Sequence, residues 1–195
     1  KTFISKVILH RLIWRHYAHK IEPYVKKFYG VLPARVEFLK KVYGLPEDKV
    51  SLLVMGVDDE LCDSVKQNNY RYILRKQYNI KDDDFLIITG GKIDLYKTQV
   101  LLLMQAIKSI NVNRIKLLVF GSVVTELKKD FTSLVDNQKI IYVGWLNSER
   151  IYQFLSMGDL AVFPGRHSVL WEQAAGMGIP MIVKYWEGTT HVDLG

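Results

Sequence analysis

Cysteine is almost absent: Cys62 stands alone among 195 residues, so no internal disulfide can form. A reducing compartment such as the cytoplasm is therefore the expected setting, because disulfide-stapled chains belong to oxidising ones. No stretch approaches the roughly 18 consecutive apolar residues that a membrane-spanning helix requires, and no basic, apolar and small-residue pattern of a secretory leader opens the chain. Low-complexity segments and internal repeats are lacking too. Acidic residues are the minority, 20 against 27 Lys and Arg, for a net charge of +7. That excess suits a polyanionic partner: nucleic acid, an anionic lipid surface, or a phosphate-bearing small molecule. Nucleic acid falls behind, since no strand carries the stacking aromatic pair of such binding modules. There is no Asp-x-Asp motif in a metal-binding setting and no His/Cys ligand cluster, so no metal is expected. Asp82-Asp83-Asp84 reads as a solvated turn before a strand.

What is present is a regular alternation of elements. Strands are predicted at Phe85 to Thr89, Ile115 to Phe120, Ile140 to Val143 and Leu160 to Phe163, and helices near Thr98 to Ser109, Val124 to Val135 and Ser148 to Ser156. Apolar strands separated by helices imply an α/β fold whose parallel sheet is covered on both faces. With right-handed crossovers this is a Rossmann-like, doubly wound domain. Ahead of it, a basic and aromatic stretch from Ser5 to about Lys27 has apolar residues at near-helical spacing and reads as an amphipathic helix as far as Pro23. It is either a surface helix or a contact for an anionic membrane. A short strand around Phe28-Tyr29, a helix from about Pro33 to Val42 and a strand Val50 to Val54 follow. Polar residues 58 to 69 read as a linker, and Tyr70 to Tyr78 as a helix.

The most informative stretch is Gly158 to Lys184. Strand Leu160 to Phe163 stops at Pro164-Gly165, Ser168 is placed to cap a helix from about Val169 to Met177, and Gly178 to end it before a strand that begins at Ile179-Pro180. Glu172 lies in the first turns of that helix, at the mouth of a strand–loop–helix–strand unit where doubly wound folds place ligand contacts. After the first strand comes Gly90-Gly91-Lys92-Ile93-Asp94-Leu95-Tyr96-Lys97. Glycines here let backbone amides approach a ligand, and two lysines five apart can converge on a diphosphate or simply be solvated. This is neither a Walker loop nor a Gly-x-Gly-x-x-Gly fingerprint.

Phe163-Pro164-Gly165, Glu172-Gln173-Ala174 and Gly178-Ile179-Pro180 together closely resemble the signature near the end of the nucleotide-sugar-binding domain in retaining glycosyltransferases of the GT-B type, in particular family 4. Gly56-Val57-Asp58 is similar to the junction that leaves the first domain of those enzymes, with Met55 where asparagine is usual. The resemblance implies residues 1–57 as the remnant of an N-terminal acceptor domain, 58–69 as linker and 70–195 as the donor domain, truncated at its end, in a chain that is a fragment. It implies that Lys92 and Lys97 clamp the donor's pyrophosphate and carry catalysis, Lys92 standing in for an arginine. It further implies that Glu172 accepts from both ribose hydroxyls. Gly90, Gly91, Gly121, Trp145, Leu146, Ser168 and Val169 would line the donor pocket, though Trp145 fits a core position equally well. The family usually has a second glutamate eight positions earlier, where this chain has Pro164, which leaves that role to Arg166 or His167.

The activity implied is transfer of a sugar from a UDP- or GDP-sugar to a carbohydrate or lipid-linked acceptor, retaining and metal-independent, in bacterial polysaccharide or glycoconjugate synthesis. No cofactor beyond that substrate is expected. The alternatives are a non-catalytic nucleotide-sugar-binding module, or a GT-B epimerase or hydrolase.

Overall fold

A computed structural model describes residues 4–193, and the side chains from residue 7 onward. The chain divides into two compact units, one from Gly56 to Lys184 and the other comprising the residues up to Met55 together with those from Tyr185 onward.

The first unit opens with a helical stretch, Ile4–Trp14, in the wide π winding, which continues as α1 (Arg15–Ile21) and a tight turn at Glu22–Tyr24. β1 (Phe28–Gly30) and β2 (Val50–Leu52) pair in parallel, Phe28 opposite Val50, with α2 (Pro33–Lys41) as their crossover. Pro33 at the first helical turn fixes φ where no amide partner is needed. The core is small: Ala18, Leu45 and Val50, with Phe28, Val36, Leu39 and Tyr43 packed around them. The returning chain joins this unit through the Ala34 amide, which donates to the Gly188 carbonyl at 3.0 Å.

In the second unit the stretch expected to be a linker contains a helix, α3 (Asp59–Gln67). Asp58 caps it, its carboxylate accepting from the Leu61 amide, and Cys62 and Val65 are buried against Tyr152. The polar composition hid a narrow apolar stripe, Leu61, Cys62 and Val65, which is enough to dock one face of a helix. Burial also pushes the Cys62 thiol pKa up, so this cysteine is not a ready nucleophile. The last residues likewise depart from expectation, since 185–193 group with the first unit and not with the sheet domain.

After α4 (Tyr70–Gln77) the expected alternation follows: β3 (Phe85–Gly90), α5 (Gln99–Ser109), β4 (Ile115–Phe120), α6 (Thr125–Leu134), β5 (Ile140–Tyr142), α7 (Ser148–Leu155), β6 (Leu160–Phe163), α8 (Leu170–Gly176) and β7 (Met181–Val183). The five strands are all parallel, in the order β5-β4-β3-β6-β7. This is a Rossmann-like doubly wound sheet. Leu117 and Val119 face a core completed by Met104 and Ile107 of α5 and Phe131 of α6. Alternation sends Leu118 and Phe120 to the opposite face, where they are equally buried. Covered on both sides, these strands can be apolar at nearly every position. α8 ends as the sequence indicates: Gly178 has φ +71°, its amide bonds the Ala175 carbonyl and the Ile179 amide the Ala174 carbonyl, which is the paired closure of a Schellman motif.

The strand order reverses between β3 and β6, whose successors run to opposite sides. Loops leaving these two strands at their carboxyl ends must diverge, and a crevice opens between them.

Candidate functional site

That crevice holds a cavity of about 370 Å³, lined by Gly91, Lys92 and Lys97 from the β3–α5 loop, Phe120, Gly121 and Ser122 after β4, Trp145 and Leu146 after β5, Ile151 of α7, and Ser168, Val169 and Leu170 at the start of α8. Its size falls in the range of small-molecule sites.

The β3–α5 loop is held at both ends. At its start the Gly91 amide donates to the Phe120 carbonyl, and Ile93, buried, exchanges bonds with Ser122 and Val124 on the neighbouring loop. Lys92 lies between these anchors with its side chain exposed. At its end Asp94 accepts from the Tyr96 amide through its side chain and from the Lys97 amide through its carbonyl, a compact turn that delivers Lys97 to α5. Lys97 is half-buried. Loss of water pushes its ammonium pKa down, with only partial compensation from the Asp94 carboxylate. A charge held under that strain is favourable for an incoming polyanion.

The glycines work by lacking a side chain. A Cβ on Gly121, where φ is +115°, would lie 1.9 Å from the Gly91 carbonyl oxygen, so the loops after β3 and β4 can meet only as they are. The Gly91 amide is engaged by the Phe120 carbonyl, so what Gly91 offers the cavity is its bare Cα. Gly90 is not part of the lining; its bare Cα makes room for the Phe120 ring, which a Cβ would approach to 2.5 Å.

Eight of the sequence-derived residues thus share one cavity: Gly91, Lys92, Lys97, Gly121, Trp145, Leu146, Ser168 and Val169. Trp145 is 73% exposed and belongs to the site's rim, not to a core. Ser168 Oγ accepts from the Leu170 amide at 3.3 Å, a weak restraint on the start of α8. Arg166, His167 and Glu172 lie outside the lining. The Arg166 guanidinium sits over the Tyr96 ring, 4.6 Å from its centroid. Glu172, on α8, is buried, and its Oε1 lies 2.7 Å from Nε2 of His167 on the loop that leads into the helix. The helix start fixes where the Glu172 backbone lies, and the contact with His167 is a feature that its position alone does not determine. Sequence reading missed Phe120, Ser122, Ile151 and Leu170. The first two are the residues flanking Gly121 at the strand end and were findable from it. Ile151 and Leu170 look like ordinary helix core.

The family model for Glycosyl transferases group 1 matches residues 71–182, more than half of the chain. The chain belongs to this family. Among solved structures, this group 1 chain is similar to Anabaena HepE in complex with UDP and glucose, at 13% identity and a TM-score of 0.65, over 93% of this chain and 50% of that one. It is also similar to a glycosyltransferase from Rickettsia africae (17%, TM-score 0.68, 91% and 49%). A third is WaaG, a glycosyltransferase involved in lipopolysaccharide biosynthesis (20%, TM-score 0.65, 93% and 54%). The chain therefore spans about half the length of these relatives, and they share its GT-B fold. No curated protein sequence matches it.

Proposed function

We propose that this chain carries the donor half of a glycosyltransferase, binding a nucleotide diphosphate sugar in the cavity at the switch point and transferring the sugar to an acceptor. The observation that carries this reading is the convergence of Lys92 and half-buried Lys97 on a cavity at the carboxyl ends of β3 and β4. Membership of the group 1 family supports it, as does the fold shared with a protein crystallised with UDP and glucose. UDP-sugars are accordingly the donors to try first.

When the bond between the anomeric carbon and the β-phosphate oxygen breaks, negative charge grows on the departing diphosphate while the ring gains oxocarbenium character. Two ammonium groups in a partly dry crevice stabilise that charge more than they stabilise the intact donor, and this difference is what accelerates the step. Lysine supplies a point charge without the bidentate fork of arginine, so orientation of the phosphates rests on the shape of the crevice. Retention of configuration, membership of family 4, independence of metal and a role in bacterial polysaccharide or glycoconjugate synthesis extend the same reading from the Glu172-Gln173-Ala174 and Gly178-Ile179-Pro180 motifs.

Lys97→Met is expected to weaken UDP binding and slow donor turnover by about tenfold or more, and Lys92→Met by a few-fold, since the first removes a buried charged contact and the second an exposed one. Titration calorimetry and donor consumption measure both. Unaltered affinity and rate in the two variants would remove the assignment.

One observation favours a second reading. With Glu172 turned onto His167 and Pro164 in place of the other glutamate, the chain would be a nucleotide-sugar-binding module without transfer. Donor binding with no product across a wide acceptor set distinguishes it.

For the cellular setting we infer a cytoplasmic protein resting on the inner face of the membrane. Among the described residues no helix is long and apolar enough to cross a membrane. The first unit exposes Leu12, Trp14, Tyr17 and Ile21 beside Arg11, Arg15 and Lys20, the composition of an interfacial helix. Sedimentation with vesicles containing anionic lipid but not with neutral ones is the expected result; equal recovery with both would contradict it.

A further inference from the structure

Tyr96 precedes Lys97 on the β3–α5 loop, and Arg166 follows Gly165 on the β6–α8 loop. The two loops leave the paired strands β3 and β6 for opposite sides of the switch point, yet they touch twice. A Cβ on Gly165 would lie 3.3 Å from Lys97 Cγ, so the bare backbone there is the wall against which the lysine stem lies. The residue before Lys97 and the residue after Gly165 make the second contact, the Arg166 guanidinium lying over the Tyr96 ring at 4.6 Å. The ammonium end of Lys97 points inward: a Cβ on Gly91 would be 3.7 Å from its Nζ. Lys97 is thus threaded from Gly165 towards Gly91, with the aromatic–guanidinium pair outside it.

We propose that Tyr96 and Arg166 form a clasp that joins the two loops over Lys97 and positions its ammonium in the cavity. They are positioning residues, acting on the diphosphate through Lys97 and not by contact. This assignment rests on the donor reading above for its ligand, but the clasp itself exists without one. Its energy is modest at a surface, since a cation over an exposed ring contributes about 0.5–1 kcal/mol, and its loss is therefore read as a few-fold change and no more. Tyr96 is 66% exposed and makes no core contact that its removal would empty. The loop also has a second restraint, the Asp94 turn, so breaking the clasp frees the tip without unfolding the loop.

Two measurements on the whole chain test this. The first needs no ligand: Lys97 is followed by carbon-13 NMR of its Cε while the pH is raised. In the parent its ammonium titrates below the ordinary lysine range, because of lost hydration, opposed by Asp94. In Tyr96→Ala and in Arg166→Gln the titration moves back up towards that range as water enters, while Tyr96→Phe, which keeps the ring, stays with the parent. The second is UDP affinity. Tyr96→Ala and Arg166→Gln each lower it by about three- to fivefold. The double variant is no worse than either alone, and neither change has any effect once Lys97 is methionine. Identical Lys97 titration in parent, Tyr96→Ala and Arg166→Gln overturns the clasp. So does an effect on UDP that simply adds to that of Lys97→Met. If the titration moves but UDP binds equally to the parent and Lys97→Met, the clasp stands and the diphosphate reading falls.

Discussion

At the end of the sheet where its strands begin, Arg75 is 4% exposed and commits its guanidinium to the carbonyls of Met157, Lys81 and Asp84 and to the Asp159 carboxylate. Arg71 bonds Ser156, Met157, Gly158 and Asp159 alongside it, and Lys116 pairs with Asp84. At the end where the strands stop, Lys92 and Lys97 face a cavity, and among the described residues neither belongs to an ion pair. The same sheet thus carries positive charge at both ends, saturated by protein at one and left for a ligand at the other. A buried charge surrounded by its own partners is part of the fold, whereas a half-desolvated charge beside a void is a binding site in waiting.

The contrast is broken most severely at the saturated end. Arg75→Ala takes a buried donor from the Asp84 carbonyl and leaves Asp159 and the Met157 carbonyl to Arg71, and should lower stability by about 1–3 kcal/mol, measured by urea unfolding, with little change in UDP affinity among molecules that remain folded. At the open end the pattern reverses. Lys97→Met should move stability by no more than about 0.5 kcal/mol while UDP binding falls about tenfold. A large stability loss in Lys97→Met would show that this lysine is a structural group after all.

The smallest effect concerns acid. Burial pushes the Asp159 carboxyl up, but the Leu86 amide and the two arginines outweigh it, so its pKa lies below the usual aspartate range. A depressed folded value means that its contribution is fully present above the unfolded aspartate pKa near 3.9 and is lost as pH falls through the folded value. The stability gap between the parent and Asp159→Asn should therefore be widest near neutrality and close below about pH 4. A gap that does not change with pH would remove the charge from the account of that end.

The sheet was legible because its signal is local. Leu117, Leu118 and Val119 in sequence leave no polar face, and only a strand covered on both sides tolerates that. The Gly90 to Lys97 loop was legible for a related reason, since two glycines after such a strand mark a close approach whatever the ligand. α3 was not, because Leu61, Cys62 and Val65 are few among Asp59, Glu60, Asp63 and Lys66, and their burial depends on Tyr152, far along the chain. The return of residues 185–193 to the first unit rests on single long-range bonds such as Ala34 to Gly188, which leave no periodic trace. Glu172 shows the limit most clearly. A motif and a helix start determine where the backbone goes, but the rotamer that sends its carboxylate to His167 is decided by packing.

The central claim is that the crevice between the diverging loops receives a nucleoside diphosphate. The most direct measurement is amide NMR of the whole chain during titration with UDP. The account predicts that the largest shifts fall on Gly91, Lys92, Lys97, Gly121, Trp145 and Val169, with Arg75, Asp84 and Asp159 at the other end of the sheet unmoved. Shifts concentrated at that other end, or none at all at millimolar UDP, would contradict it.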